Sequence, residues 1–289
     1  MSQIKKALEK AKRDRELFSI RGQEQILGEP SPQDIQAPAR TTLVEGETQS
    51  QTSSDITPLV YSQTRLVEVD RQRLITERVF SILEKDRVAD QYKLLRTMIL
   101  NKTRPLKSNT IEITSFKEQE GKSLTCVNLA IALAKETRQT VLLVDMDLRR
   151  PSIHEILGID ISPGIKDYFF ENVPLKDILV HPDIETLTVL PAGGRIDNST
   201  EIIGSHRMEQ LVLEIKRRYQ DRYIIFDTPA LDKCPDALVL SSYVDGMVLV
   251  ARANYTTTED IAAGMGLLKD KNVLGTVLND AELPKGWTY

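Results

Sequence analysis

The chain has 289 residues, 40% of them apolar and 28% charged, with a formal net charge of −4. That length accommodates one large domain or two small ones with a sizeable core, and the mild acidity gives no overall electrostatic case for nucleic acid. The longest apolar runs, such as Gly246-Met247-Val248-Leu249-Val250-Ala251, fall far short of the ~20 residues that span a bilayer, and the N-terminus is too charged for a signal peptide, so a cytoplasmic protein is expected.

Residues 1–21 read as an amphipathic helix, with Ile4, Leu8, Ala11 and Phe18 near one face and charged residues on the others. A helix of that length gains little from propensity alone and is expected to dock on a partner surface. Residues 22–65 turn to Gln, Ser, Thr, Pro and Glu without periodicity, which predicts a disordered linker reaching roughly 35 Å as a flexible coil. The globular part is expected over 66–283, followed by a short tail, 284–289. After a helix around Ala89–Asn101 the pattern alternates: strand 110–115, helix 122–136, strand 140–145, helix near 152–157, strand 186–190, helix 199–219, strand 222–227, helix 235–243, strand 246–251, helix 257–270 and strand 273–279. Such alternation predicts an α/β fold with a mostly parallel sheet flanked by helices on both faces. Asn198, with Glu201 three residues on, resembles a capping box at the start of the long helix. Cys126 falls among apolar helix residues and is expected in the core; Cys234 falls in a loop, and no metal-ligand cluster is visible.

Three stretches carry chemistry. Glu120-Gly121-Lys122-Ser123 follows the strand 110–115 and opens a helix, which is the context a phosphate-binding loop requires. A triphosphate needs backbone N–H groups and a lysine around its oxygens, a hydroxyl on the magnesium ion, and carboxylates at neighbouring strand ends. Lys122 and Ser123 supply the lysine and the hydroxyl. Asp145 closes the run Val141-Leu142-Leu143-Val144, and Asp227 closes Tyr223-Ile224-Ile225-Phe226, so both carboxylates are expected at the carboxyl edge of the sheet, where α/β proteins bind ligands. Each signal alone is weak, since an Asp after an apolar run is often a turn residue; together they predict a P-loop nucleotide-binding fold.

The chain also resembles a known family: the bacterial tyrosine autokinases of capsule and exopolysaccharide export, in particular the exosortase-associated type, related to the MinD/ParA ATPases. The resemblance rests on Met1-Ser2-Gln3-Ile4 with Ala7-Leu8, Gln91-Tyr92-Lys93-Leu94-Leu95-Arg96-Thr97, Glu120-Gly121-Lys122-Ser123, Val144-Asp145-Met146-Asp147-Leu148-Arg149-Arg150-Pro151, Leu190-Pro191-Ala192-Gly193, Phe226-Asp227-Thr228-Pro229, Asp236-Ala237 and Val244-Asp245-Gly246. It implies an MgATP-dependent protein-tyrosine kinase, a homo-oligomer activated by a membrane-embedded chain-length protein and held through it at the inner face of the membrane. By the same resemblance Glu120, Gly121, Lys122, Ser123 and Leu124 bind the nucleotide phosphates, with Arg149 as a phosphate clamp or loop brace and Asn279 near the base. Ser123, Asp145 and Asp227 hold Mg²⁺, and Asp147 orients or deprotonates the acceptor tyrosine. The family's oligomer contact, a glutamate and two arginines at steps of three, reads here Asp90, Lys93 and Arg96, a version weakened because lysine lacks the planar fork of arginine.

The pattern departs from the family at two places. Glu118-Gln119 replaces Pro-Gly before the phosphate loop, and Phe116 replaces a small residue. A left-handed backbone at Gln119 would cost roughly 1–2 kcal/mol, and Glu118 would add a like charge near the anion, about 1 kcal/mol per pair in water. The tail holds one tyrosine, Tyr289, in place of a cluster, leaving Tyr289 and Tyr61 as phosphoacceptor candidates. Lys117 stands where the MinD/ParA group carries a second lysine, but without the neighbouring glycines. Two alternatives follow: an ATP-binding regulator of the same export machinery without kinase activity, and a MinD/ParA-like ATPase.

Overall fold

The computed structural model describes residues 64–136, 140–218 and 222–282, all within the unit Leu59–Tyr289. The expected N-terminal helix, nearly all of the expected linker, Tyr61, Tyr289 and the tail lie outside the described residues.

Runs of Val, Ile and Leu buried on both faces build the centre of an eight-stranded sheet. Its strands are β1 (Arg65–Leu66), β2 (Thr110–Ser115), β3 (Thr140–Asp145), β4 (Val180–His181), β5 (Leu187–Leu190), β6 (Arg222–Asp227), β7 (Gly246–Arg252) and β8 (Val273–Asn279), in the order β1-β4-β5-β3-β6-β2-β7-β8. Neighbours pair in parallel except β4, which runs antiparallel to β5. With β6 between β3 and β2, Asp227 lies in register with Asp145 on one side and Ile113 on the other.

Helices cover both faces, as the alternation predicts. They are α1 (Arg71–Thr76), α2 (Arg87–Thr103), α3 (Lys122–Ala134), α4 (Ile153–Leu157), α5 (Ile165–Phe170), α6 (Ser199–Ile203), α7 (His206–Arg218), α8 (Asp236–Leu240) and α9 (Thr258–Leu267). On one face α3 packs with Ile111, Ile113, Val141, Leu143 and Ile225, and it is buried from Thr125 to Ala134. On the other, Leu142, Val144, Ile224 and Phe226 meet Met208, Leu211, Val212 and Ile215, one stripe of α7 at helical spacing.

The single helix expected over 199–219 is two. The chain breaks at Gly204, and Ser205 Oγ accepts from Met208 N at 3.2 Å to start α7. Asn198 precedes α6, but its side chain makes no capping bond. A reciprocal cap occurs instead at α9, where Thr257 Oγ accepts from Asp260 N (3.1 Å) and Thr257 N donates to Asp260 Oδ2 (3.0 Å). The short elements α1, α5, β1 and β4 have no counterpart in the sequence reading; α1 had a signal in Asp70, whose Oδ1 accepts from Gln72 N at 2.8 Å. Cys126 is buried and Cys234 half-buried. Among the described residues no helix is long and apolar enough to cross a membrane.

Candidate functional site: a phosphate loop beside two strand-end carboxylates

Residues 116–121 carry the chain from β2 into α3, and the loop turns through two left-handed residues, Gln119 (φ 63°) and Gly121 (φ 84°). At Gly121 glycine is favoured on two grounds: the positive φ, and the side-chain amide of Asn279, 2.1 Å from where a Cβ would stand, which a larger residue would have to displace. Asn279, at the end of β8, donates from Nδ2 to Glu120 O at 3.0 Å, so its amide braces the loop backbone. The fully buried Glu120 side chain braces it from within, accepting from Lys117 N at 2.8 Å and from the Thr256 hydroxyl.

Lys122 and Ser123 then begin α3, whose first turn, including Leu124, has backbone N–H groups without intrahelical partners, a natural anion site. The Lys122 ammonium donates to Asp147 Oδ2 at 2.7 Å and to Ser123 Oγ at 3.1 Å, and lies 3.6 Å from Asp227 Oδ1. Burial alone would push the lysine pKa down, but Asp227, Asp147 and Asp145 outweigh it and hold the group above its ordinary value. Burial also lifts Asp227 to about 6, against the pull of Lys122. Burial and then the Asp227 charge raise Asp145 well above the usual carboxylate range. Asp145 Oδ2 accepts from Ser152 N and Ile153 N, both at 3.1 Å.

The remaining carboxylate oxygens bear on metal binding. Asp145 Oδ1 and Asp227 Oδ2 are buried and accept no hydrogen bond, and Asp227 Oδ1 meets Lys122 without hydrogen-bond geometry. With the Ser123 hydroxyl they form a hard-oxygen donor set that fits Mg²⁺, a cation that keeps several waters and phosphate oxygens of its own. Among the described residues no three His, Cys, Asp or Glu side chains group as a metal site.

The arginines after Asp147 diverge. Arg149 Nε lies 3.4 Å from Asp236 Oδ2 and its Nη2 donates to Thr200 Oγ1 at 3.2 Å, so it braces the loop on α6 and α8. Arg150 donates to Glu118 Oε1 at 2.8 Å, and Lys233 lies 3.5 Å from Glu118 Oε2. The negative charge expected to oppose an anion is thus held by two cations, of which the sequence reading missed Lys233, since only the fold brings the loop after β6 to the phosphate loop. Lys117 pairs with Asp260 of its own chain at 3.1 Å. In the expected oligomer row Lys93 donates to Asp90 Oδ1 at 2.8 Å on the surface, whereas Arg96 turns inward, donating to Ala132 O at 3.0 Å with Glu136 at 3.7 Å.

A phosphate loop opening a helix, beside acidic residues at the ends of adjacent parallel strands, defines a P-loop nucleotide-binding domain. Residues 108–263 match the AAA domain family. Tyrosine-protein kinase YwqD of Bacillus subtilis is 30% identical over 203 residues, 70% of this chain and 84% of that protein. The crystal structure of the chimerical protein CapA2B2 superposes with a TM-score of 0.66 at 25% identity, covering 76% of this chain and 94% of that one. The VpsO kinase domain gives 0.61 at 29% identity, covering 73% and 97%. The chain belongs to the bacterial tyrosine-protein kinases, a family of phosphoryl transferases.

Proposed function

We propose that the protein is an MgATP-dependent tyrosine autokinase regulating exopolysaccharide polymerisation and export. The observation that carries the reading is Lys122, drawn between Asp147 and Asp227 at the mouth of α3. A lysine so placed exchanges one carboxylate partner for phosphate oxygens when a nucleotide enters. The N–H groups of residues 121–124 and Lys122 hold the phosphates; Ser123, Asp145 and Asp227 hold the metal. Bound MgATP supplies the γ-phosphoryl group. Asp147 would take the phenolic proton as the tyrosine oxygen bonds to the γ-phosphorus and the bond to the bridging oxygen breaks, ADP leaving; with Lys122 on the phosphates its Oδ2 would be free to do so. Tyr289 and Tyr61 are the acceptors, presented by a neighbouring copy in an oligomer that uses Asp90, Lys93 and Arg96. A membrane-embedded chain-length protein activates the kinase and keeps it at the inner face of the membrane.

A second reading, an ATP-binding regulator of the same machinery without kinase activity, draws on the left-handed Gln119. Mass-spectrometric mapping of phosphotyrosine after incubation with MgATP decides between them, run beside Lys122→Ala and with a cytoplasmic activator fragment. Lys122-dependent phosphate on Tyr289 or Tyr61 is expected; nucleotide binding without phosphotyrosine would favour the regulator.

A further inference from the structure

Beneath the site, in the middle of the interior strand β2, lies Glu112, a carboxyl group with no exposed surface. One oxygen, Oε1, accepts from the Thr228 hydroxyl at 2.9 Å; the other, Oε2, has no partner. A carboxylate with one hydrogen bond in a hydrocarbon core is heavily penalised, so the neutral acid is favoured. Burial does lift this group well above the ordinary range, the Thr228 bond and the distant Lys271 opposing it only in part. Thr228 follows Asp227 directly, its N–H donates to Ile113 O at 3.1 Å, and its hydroxyl has Ile113 O as a second acceptor at 3.2 Å. The next inward-facing residue of β2, Thr114, donates to Pro229 O at 2.7 Å. Two polar side chains of the strand that feeds the phosphate loop therefore grip the peptide after Asp227.

We infer that Glu112 is a positioning residue: through Thr228 it fixes the backbone that presents the Asp227 carboxylate to the nucleotide-bound metal. The inference rests on the metal role proposed for Asp227. Nothing about the fold needs a carboxyl group here, since Thr228 keeps Ile113 O as an acceptor when Glu112 is removed.

The test uses the full chain and three variants, Glu112→Met, Glu112→Gln and Thr228→Val. ATP affinity is measured in EDTA and in Mg²⁺, beside thermal unfolding without nucleotide and the rate of tyrosine phosphorylation. Glu112→Met is expected to melt no lower than the wild type, since it removes a penalised buried carboxyl group, and to leave the EDTA affinity unchanged. It is expected to reduce the gain in affinity on adding Mg²⁺ roughly tenfold, the worth of one positioned hydrogen bond. Glu112→Gln keeps the acceptor and restores the gain. Thr228→Val matches Glu112→Met, and the double variant is no worse than either single one. An undiminished Mg²⁺-dependent gain in Glu112→Met overturns the inference, as does a parallel loss of melting temperature and EDTA affinity, which marks a purely structural role. A wild type that gains affinity from Mg²⁺ yet makes no phosphotyrosine overturns the kinase reading alone, while the affinity ratios still decide the role of Glu112.

Discussion

Replacing Asp227 by asparagine should stabilise the nucleotide-free protein while destroying its metal-dependent function. The Asp227 carboxyl is fully buried, and its pKa stands at about 6 against an ordinary 3.8. A folded-state pKa above the unfolded one means that the folded protein holds the proton more tightly. The stability this contributes is present below pH 3.8 and is lost as pH rises through about 6. Above that pH the charged carboxylate costs the fold about two pKa units, roughly 3 kcal/mol at 1.36 kcal/mol per unit. The 3.6 Å attraction of Lys122 is already contained in that value. Asparagine removes the charge and keeps the volume, and Lys122 retains Asp147 at 2.7 Å. For a domain of this size each kcal/mol moves the melting temperature by about 2–4 °C, so Asp227→Asn should melt roughly 6–12 °C above wild type at pH 8 and no higher at pH 4. Differential scanning calorimetry of both proteins without nucleotide across that range measures it. Equal melting at pH 8, or a gain of the same size at pH 4, would refute the reasoning. The same variant should lose the Mg²⁺-dependent part of its ATP affinity, the expected conflict between stability and function at a charged site.

Gly121→Ala puts a Cβ where the Asn279 amide stands and so displaces the brace on the Glu120 carbonyl; ATP affinity should fall roughly tenfold by titration calorimetry, the worth of one positioned hydrogen bond, whereas Gly266→Ala, with nothing within 4 Å of its added methyl, should bind as wild type. Because Arg150 and Lys233 already hold Glu118, Glu118→Gln should change the ATP dissociation constant less than about threefold; a tenfold tightening would mean that its charge acts unscreened on the nucleotide. Lys93→Glu breaks an exposed pair with Asp90 and an exposed bond to the Glu84 carbonyl and should lower the melting temperature only slightly, while light scattering should show the proposed oligomer dissociating; an unchanged native mass would remove the residue from the contact.

The parts of the site that could be read in the sequence are those fixed by neighbours along the chain. Asp145 and Asp227 stand out because strands buried on both faces of a parallel sheet read as unbroken apolar runs, and an acid ending such a run marks the strand's carboxyl end. Lys122 and Ser123 stand out because loop and helix are contiguous. What could not be read is where a side chain turns once the fold closes. Arg149 and Arg150 are adjacent and chemically alike, yet one reaches Asp236 and the other Glu118. Arg96 looks like the third member of a surface row, but the end of α3 offers it a carbonyl and Glu136. The break at Gly204 did carry a sequence signal, a glycine followed by the serine that caps α7, but the apolar spacing of α7 continues back through α6 and masks it.

The departures at 118 and 119 invite the inference that the phosphate loop has decayed, and that inference assumes that Pro-Gly is what gives the loop its shape. Here the shape is specified elsewhere. Glu120 is anchored by its side chain to Lys117 N and Thr256, its carbonyl is gripped by Asn279, and Glu118 is held by cations from two other loops. A left-handed Gln119 costs on the order of 1 kcal/mol, and a set of part-buried hydrogen bonds each worth about as much can hold that conformation in place. The strain then lies in the folded state before nucleotide arrives, so it lowers the stability of the protein without weakening its affinity for ATP. The motif's altered spelling therefore carries little weight against phosphate binding, and the choice between kinase and regulator falls to the acceptor tyrosines.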